Sequence, residues 1–125
     1  MFKIKGTTFY ITRGDMACFD VNMKDENNNP VNFKPGDVVR FRVFVKNRYD
    51  KSVLVEDVTV QEETENVTFV LTSDKTKIGE VIHKEVEYWY EIERNPDTPN
   101  AETIIGTDDI GVKVFKLYPE GVDTE

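Results

Sequence analysis

Residues 85–93, Glu85-Val86-Glu87-Tyr88-Trp89-Tyr90-Glu91-Ile92-Glu93, repeat with a period of two. Val86, Tyr88, Tyr90 and Ile92 fall on one side, and Glu85, Glu87, Trp89, Glu91 and Glu93 on the other. That alternation predicts a half-buried strand rather than a helix. The same period recurs upstream, where Val39, Phe41, Val43 and Val45 alternate with Arg40, Arg42 and Lys46. It recurs again in Ala17, Phe19, Val21 and Met23 against Cys18, Asp20 and Asn22, and in Val67, Phe69 and Leu71 against Thr68 and Thr72. Shorter stretches at 7–12, 53–60, 103–106 and 111–118 are rich in the β-branched and aromatic residues that suit a pleated surface.

Turn chemistry separates these runs: Arg13-Gly14-Asp15, Asp25-Glu26-Asn27-Asn28-Asn29-Pro30, Lys34-Pro35-Gly36-Asp37 and Asn95-Pro96-Asp97-Thr98-Pro99-Asn100. Helix is hard to place. Only 73–85 tempts, with Asp74 as a cap, but Gly79 and the β-branched Ile78, Val81 and Ile82 allow at most one short turn. Short strands at this spacing predict an all-β chain: a single antiparallel sandwich of about 7–8 strands with little or no helix. The 125 residues suffice for one domain, 1–125, with an ordered core over about 4–118 and a short tail over 119–125.

The two best strands carry opposite charges on their polar sides, Arg40, Arg42 and Lys46 against Glu85, Glu87, Glu91 and Glu93. Opposite charges across neighbouring strands stabilise by about 0.2–1 kcal/mol per pair, so the two strands are expected to share a sheet. Phe44 and Trp89 lie on those same polar sides. Each is either packed beneath a loop or part of a contact surface, and Phe44, Trp89, Glu85, Glu87, Glu91, Arg40 and Arg42 form the candidate surface.

Charge and composition narrow the function classes. The net charge is −8, with residues 1–50 at nine basic against six acidic and residues 51–125 at seven against eighteen. An acidic chain is repelled by nucleic-acid phosphates and anionic lipid head groups, so neither nucleic acid nor membrane is expected as a partner. Cys18 is the lone cysteine, expected as a small buried hydrophobe, which disfavours disulfides and thiolate metal sites. With no apolar leader or span, a reducing cytoplasm is the expected site of synthesis.

The search for chemistry returns little. His83 is the only histidine, so two-His metal motifs are absent, and a Cys18–His83 dyad has no supporting pattern. Carboxylate pairs such as Glu62-Glu63 and Asp108-Asp109 are expected by chance among 24 acidic residues. The Asp25–Asn29 stretch lacks the EF-hand register and reads as a hairpin loop, and the glycines are too isolated for a phosphate loop. Arg13-Gly14-Asp15 reads as a tight turn, with Asp15 capping the following backbone, and Asn66-Val67-Thr68 as a chance glycosylation triplet. No enzyme, catalytic residue, cofactor or metal is expected.

Taken together, Ile11-Thr12-Arg13-Gly14-Asp15, Lys34-Pro35-Gly36-Asp37, Tyr88-Trp89-Tyr90-Glu91-Ile92-Glu93, Thr103-Ile104-Ile105-Gly106 and Phe115-Lys116-Leu117-Tyr118-Pro119-Glu120-Gly121 resemble small tailed-bacteriophage structural proteins. In particular the chain is similar to the immunoglobulin-like N-terminal domain of phage baseplate upper proteins and related tail or neck modules. The resemblance spans about residues 4–121. It implies an immunoglobulin-like sandwich in a virion, made in the bacterial host cytoplasm. The implied role is non-enzymatic, acting through contacts with other virion proteins or with itself. An alternative from the residues alone is a carbohydrate-binding module, in which Trp89 and the tyrosines stack on a sugar such as a host-surface glycan, with Asn and Asp side chains bonding its hydroxyls.

Overall fold

The computed structural model describes residues 1–46, 51–108 and 111–120, so Asp109 and the tail over 121–125 lie outside the described residues. Ten strands occur among them: β1 (Phe2–Lys5), β2 (Thr8–Thr12), β3 (Ala17–Lys24), β4 (Pro30–Val31), β5 (Val38–Phe44), β6 (Ser52–Thr59), β7 (Asn66–Leu71), β8 (Val86–Arg94), β9 (Glu102–Ile105) and β10 (Val114–Tyr118). The chain is all-β, as its period-two runs require, and no described residue is helical. Residues 73–76 form a turn, where Thr76 is fully buried and its hydroxyl donates to the Asp15 carbonyl at 2.7 Å.

Two sheets share one core. The larger has seven strands in the order β1-β2-β10-β8-β5-β6, with β9 also paired to β8, and the smaller runs β4-β3-β7. Strands β3 and β7 alternate strictly between buried and exposed positions. Their inner residues Phe19 and Phe69 stack at 5.5 Å, and Phe19 meets Phe41 of β5 edge-on at 5.3 Å. Phe9, Tyr90 and Phe115 extend this aromatic cluster across the larger sheet. Burial of such rings away from water is the main favourable term in holding the layers together.

The expectation of a purely antiparallel sheet is corrected at one pair: β10 runs parallel to β2, pairing Phe115 with Phe9 and Leu117 with Ile11. Antiparallel partners can be joined by a tight local turn, whereas this pair joins segments about a hundred residues apart. Two strands were not anticipated. β1 forms a hairpin with β2 around Gly6, whose φ of 60° supplies the left-handed turn, and the two-residue β4 closes the predicted Asp25–Pro30 hairpin against Met23 and Lys24. In that hairpin the Asp25 carboxylate accepts the Asn27 and Asn29 N–H groups, each at 2.9 Å.

Cys18 is corrected from buried to exposed. Its neighbours Ala17 and Phe19 take the inner positions of β3, so the pleat turns the thiol outward. In the Arg13-Gly14-Asp15 turn Gly14 has φ 87°, and the Asp15 N–H donates to the Thr12 carbonyl at 3.0 Å. Arg13 is the structural member, buried and donating to the carbonyls of Ile78 at 3.1 Å and Gly79 at 2.7 Å and to Glu120 at 2.9 Å.

Candidate functional site: the outer face of the large sheet

Strands β5 and β8 are direct antiparallel neighbours, as their charges suggest. Arg40 lies opposite Glu93, Arg42 opposite Glu91 and Phe44 opposite Trp89. Since Val39, Phe41, Val43, Tyr90 and Ile92 fill the core, all these partners share the outer face of the larger sheet. β10 continues the rows, with Val114 opposite Trp89 and Lys116 opposite Glu87. A row of apolar side chains, Phe44, Trp89 and Val114, therefore crosses three strands. Exposed Val53 and Val55 on β6 flank it.

The structure brings the sequence candidates together and corrects the exposure of two. Phe44 is 3% and Glu91 5% exposed. Phe44 lies beneath the Arg42 guanidinium, 4.7 Å from the ring centroid, a cation–π contact. Glu91 is paired with Arg42 at 3.3 Å, and Gly106 lies beside it along the edge of β8, with the position of a Gly106 Cβ 3.8 Å from the Glu91 Cβ. Val45, expected to face inward, is 49% exposed. β5 ends at Phe44, so Val45 lies past the last paired position, and β6 carries a bulge beside it, Val43 pairing with Leu54 but Phe44 with Ser52.

Trp89, half-buried, lines an open cleft of about 440 Å³ together with Phe44, Lys46, Glu91, Thr103, Thr107 and Val112. Thr107 and Val112 belong to the segment joining β9 to β10. Both of those strands pair with the same edge of β8, because β5 holds the other edge. Ile105 pairs with Ile92 and Val114 with Trp89, so three steps along β8 match nine along its partner. Of this surplus, Thr107 and Val112 line the cleft beside Trp89.

Ion pairs cross this face. Besides Arg42–Glu91, Lys46 lies 3.9 Å from Glu87 and Lys116 3.5 Å from Glu85, and the Glu85 charge raises the Lys116 ammonium above its ordinary value. Arg40 holds Asp57 through two bonds at 2.8 and 3.1 Å and reaches Asp97 at 3.1 Å, and those bonds raise its guanidinium as well. Glu87 and Glu91 of β8, and Glu85 just before it, are thus paired with Lys46, Arg42 and Lys116.

Sequence reasoning found Phe44, Trp89 and the charged rows but missed Val114, Thr103, Thr107 and Val112. Their place at the site depends on β9 and β10 lying end to end along β8, for which no local signal exists. His83 and Cys18 are both exposed, in the segment before β8 and on the outer face of the smaller sheet. Among the described residues no three His, Cys, Asp or Glu side chains converge as a metal site. No family model, curated protein or solved structure matches the chain.

Proposed function

We propose that the chain is a non-enzymatic assembly module of a tailed-phage virion, an immunoglobulin-like sandwich that works by protein–protein contact through the outer face of its larger sheet. The strand order supports the immunoglobulin-like reading. A parallel β2–β10 pair, a β10–β8–β5–β6 succession and the β3–β7 pair in the opposite layer match the arrangement in which consecutive strands switch sheets. The contact reading is carried by one observation: the apolar row Phe44–Trp89–Val114 bordered on both sides by ion-paired rows. An apolar centre with a polar rim is the usual anatomy of a protein interface, with tryptophan and arginine its common anchors.

Recovery of the chain in purified particles from its host, and its depletion at least tenfold for Trp89→Ala with an unchanged circular dichroism spectrum, is the expected outcome. A chain found only in the soluble fraction overturns the reading. A second reading, carbohydrate binding, is favoured by the cleft itself, since a half-buried indole beside two threonine hydroxyls suits a sugar ring. A glycan array without hits removes it.

A further inference from the structure

The outer face has a symmetry that its charges define. At matching positions β5 presents Arg40, Arg42 and Phe44 where β8 presents Glu93, Glu91 and Trp89, and Lys46 beyond β5 reaches Glu87. We propose that this face docks a second copy of the same chain about a two-fold axis parallel to the strands, running between β5 and β8. The proposal rests on the contact reading above and specifies its partner.

An axis in that direction exchanges the two columns. The exposed Lys46 then lies over the second copy's exposed Glu87, Arg40 over its Glu93, and the half-buried Trp89 over the row position of its Phe44, while Arg42 and the buried Glu91 stay paired within each copy. An axis across the strands, through the Phe44–Trp89 row, instead sets Arg42 over the other Lys46. Like charges so juxtaposed disfavour binding, so the pattern selects one orientation. A self-complementary patch of this kind is what a two-fold interface requires.

Two further observations favour a second copy and the face over other arrangements. The chain carries −8 in total, which opposes self-association, yet Glu85, Glu87 and Glu91 on this face are already paired with Lys116, Lys46 and Arg42. These pairs reduce the repulsion that a copy meets here. Extension of the larger sheet through β6 is discouraged, because the bulge at Val53 twists that edge away from a regular ladder. The exposed Val53 and Val55 remain at the margin of the face.

The test uses the full chain with Cys18→Ser, which removes the exposed native thiol. Lys46 and Glu87 are exposed, their side chains 58% and 41% accessible, so substitutions there leave the core intact. Lys46→Cys protein is mixed with Glu87→Cys protein and a short bis-maleimide. Covalent dimer is expected at least ten times faster than with Asn22→Cys in place of Lys46→Cys, since Asn22 lies on the outer side of the smaller sheet. In sedimentation equilibrium, Lys46→Glu should weaken the dimer at least tenfold, and adding Glu87→Lys should restore it. Equal cross-linking rates, or an unmodified chain that stays monomeric to about 1 mM, overturn the proposal. Incorporation into particles is scored separately, so a monomer that still enters virions sinks the two-fold pairing and leaves the assembly reading standing.

Discussion

Asp37 ties together segments far apart in the sequence. One carboxylate oxygen accepts the Lys34 N–H at 2.9 Å, the other accepts the Asn95 amide at 3.1 Å, and Arg94 lies 3.7 Å away. Burial pushes this carboxyl up, but the Lys34 and Asn95 bonds and the Arg94 charge outweigh it, and it sits below the usual aspartate range. A folded-state value below the unfolded one, about 3.9, contributes stability that is present above that pH and is lost as pH falls through the folded value. Asp37→Ala should therefore destabilise at neutral pH by about 1.5–3 kcal/mol, the worth of bonds to a charged group. Urea denaturation of both proteins should show the gap closing once the pH lies below the folded value. The turn itself was legible, because Lys34-Pro35-Gly36-Asp37 has Gly36 at φ 91° where a left-handed residue is needed. The link to Asn95 was not, since only the tertiary pairing of β5 with β8 brings the two turns together. Cys18 shows the opposite case: its outward position was written in the alternation of β3, and the habit of burying cysteine overrode the pattern.

At the scale of elements, β5 and β8 were readable as neighbours because each advertises its partner through charge, and the register pairs Arg40 with Glu93 and Arg42 with Glu91. The end of β5 was not readable, since Phe44 is buried beneath Arg42 on the outer face and Val45 lies exposed just past the last paired residue. The division between β9 and β10 was legible as the separate stretches 103–106 and 111–118, but their shared place along one edge of β8 was not. Gly106 begins the interruption, and a Cβ there would lie 2.7 Å from Thr103 Cγ2. Gly106→Ala must drive Thr103 from its rotamer, at a cost of about 0.5–1.5 kcal/mol. Thr103→Ser, which lacks that methyl, should recover most of the loss in the double variant. Thermal melts of the single and double variants check this, and an unrecovered loss locates the strain elsewhere.

Across the whole molecule, the all-β class and the buried faces were legible from periodicity alone, but the strand order was not. The parallel β2–β10 pair and the allocation of β3 and β7 to a separate layer follow from long-range packing around one aromatic cluster. Phe41 sits at its centre, fully buried and in ring contact with Phe9, Tyr90 and Phe115 of its own sheet and with Phe19 and Phe69 of the other. Phe41→Ala should cost about 3–5 kcal/mol. Because the cluster joins both sheets, near-ultraviolet and far-ultraviolet dichroism should be lost in a single transition, and two separated transitions would show that the layers unfold independently. The interruption between β9 and β10 has a further consequence for how such a chain can change. Each half keeps its own ladder with β8, so residues added between them leave both registers where they are. The segment joining them is thereby a grafting point, where foreign peptide can be carried on the sheet without rewriting the strands that hold it.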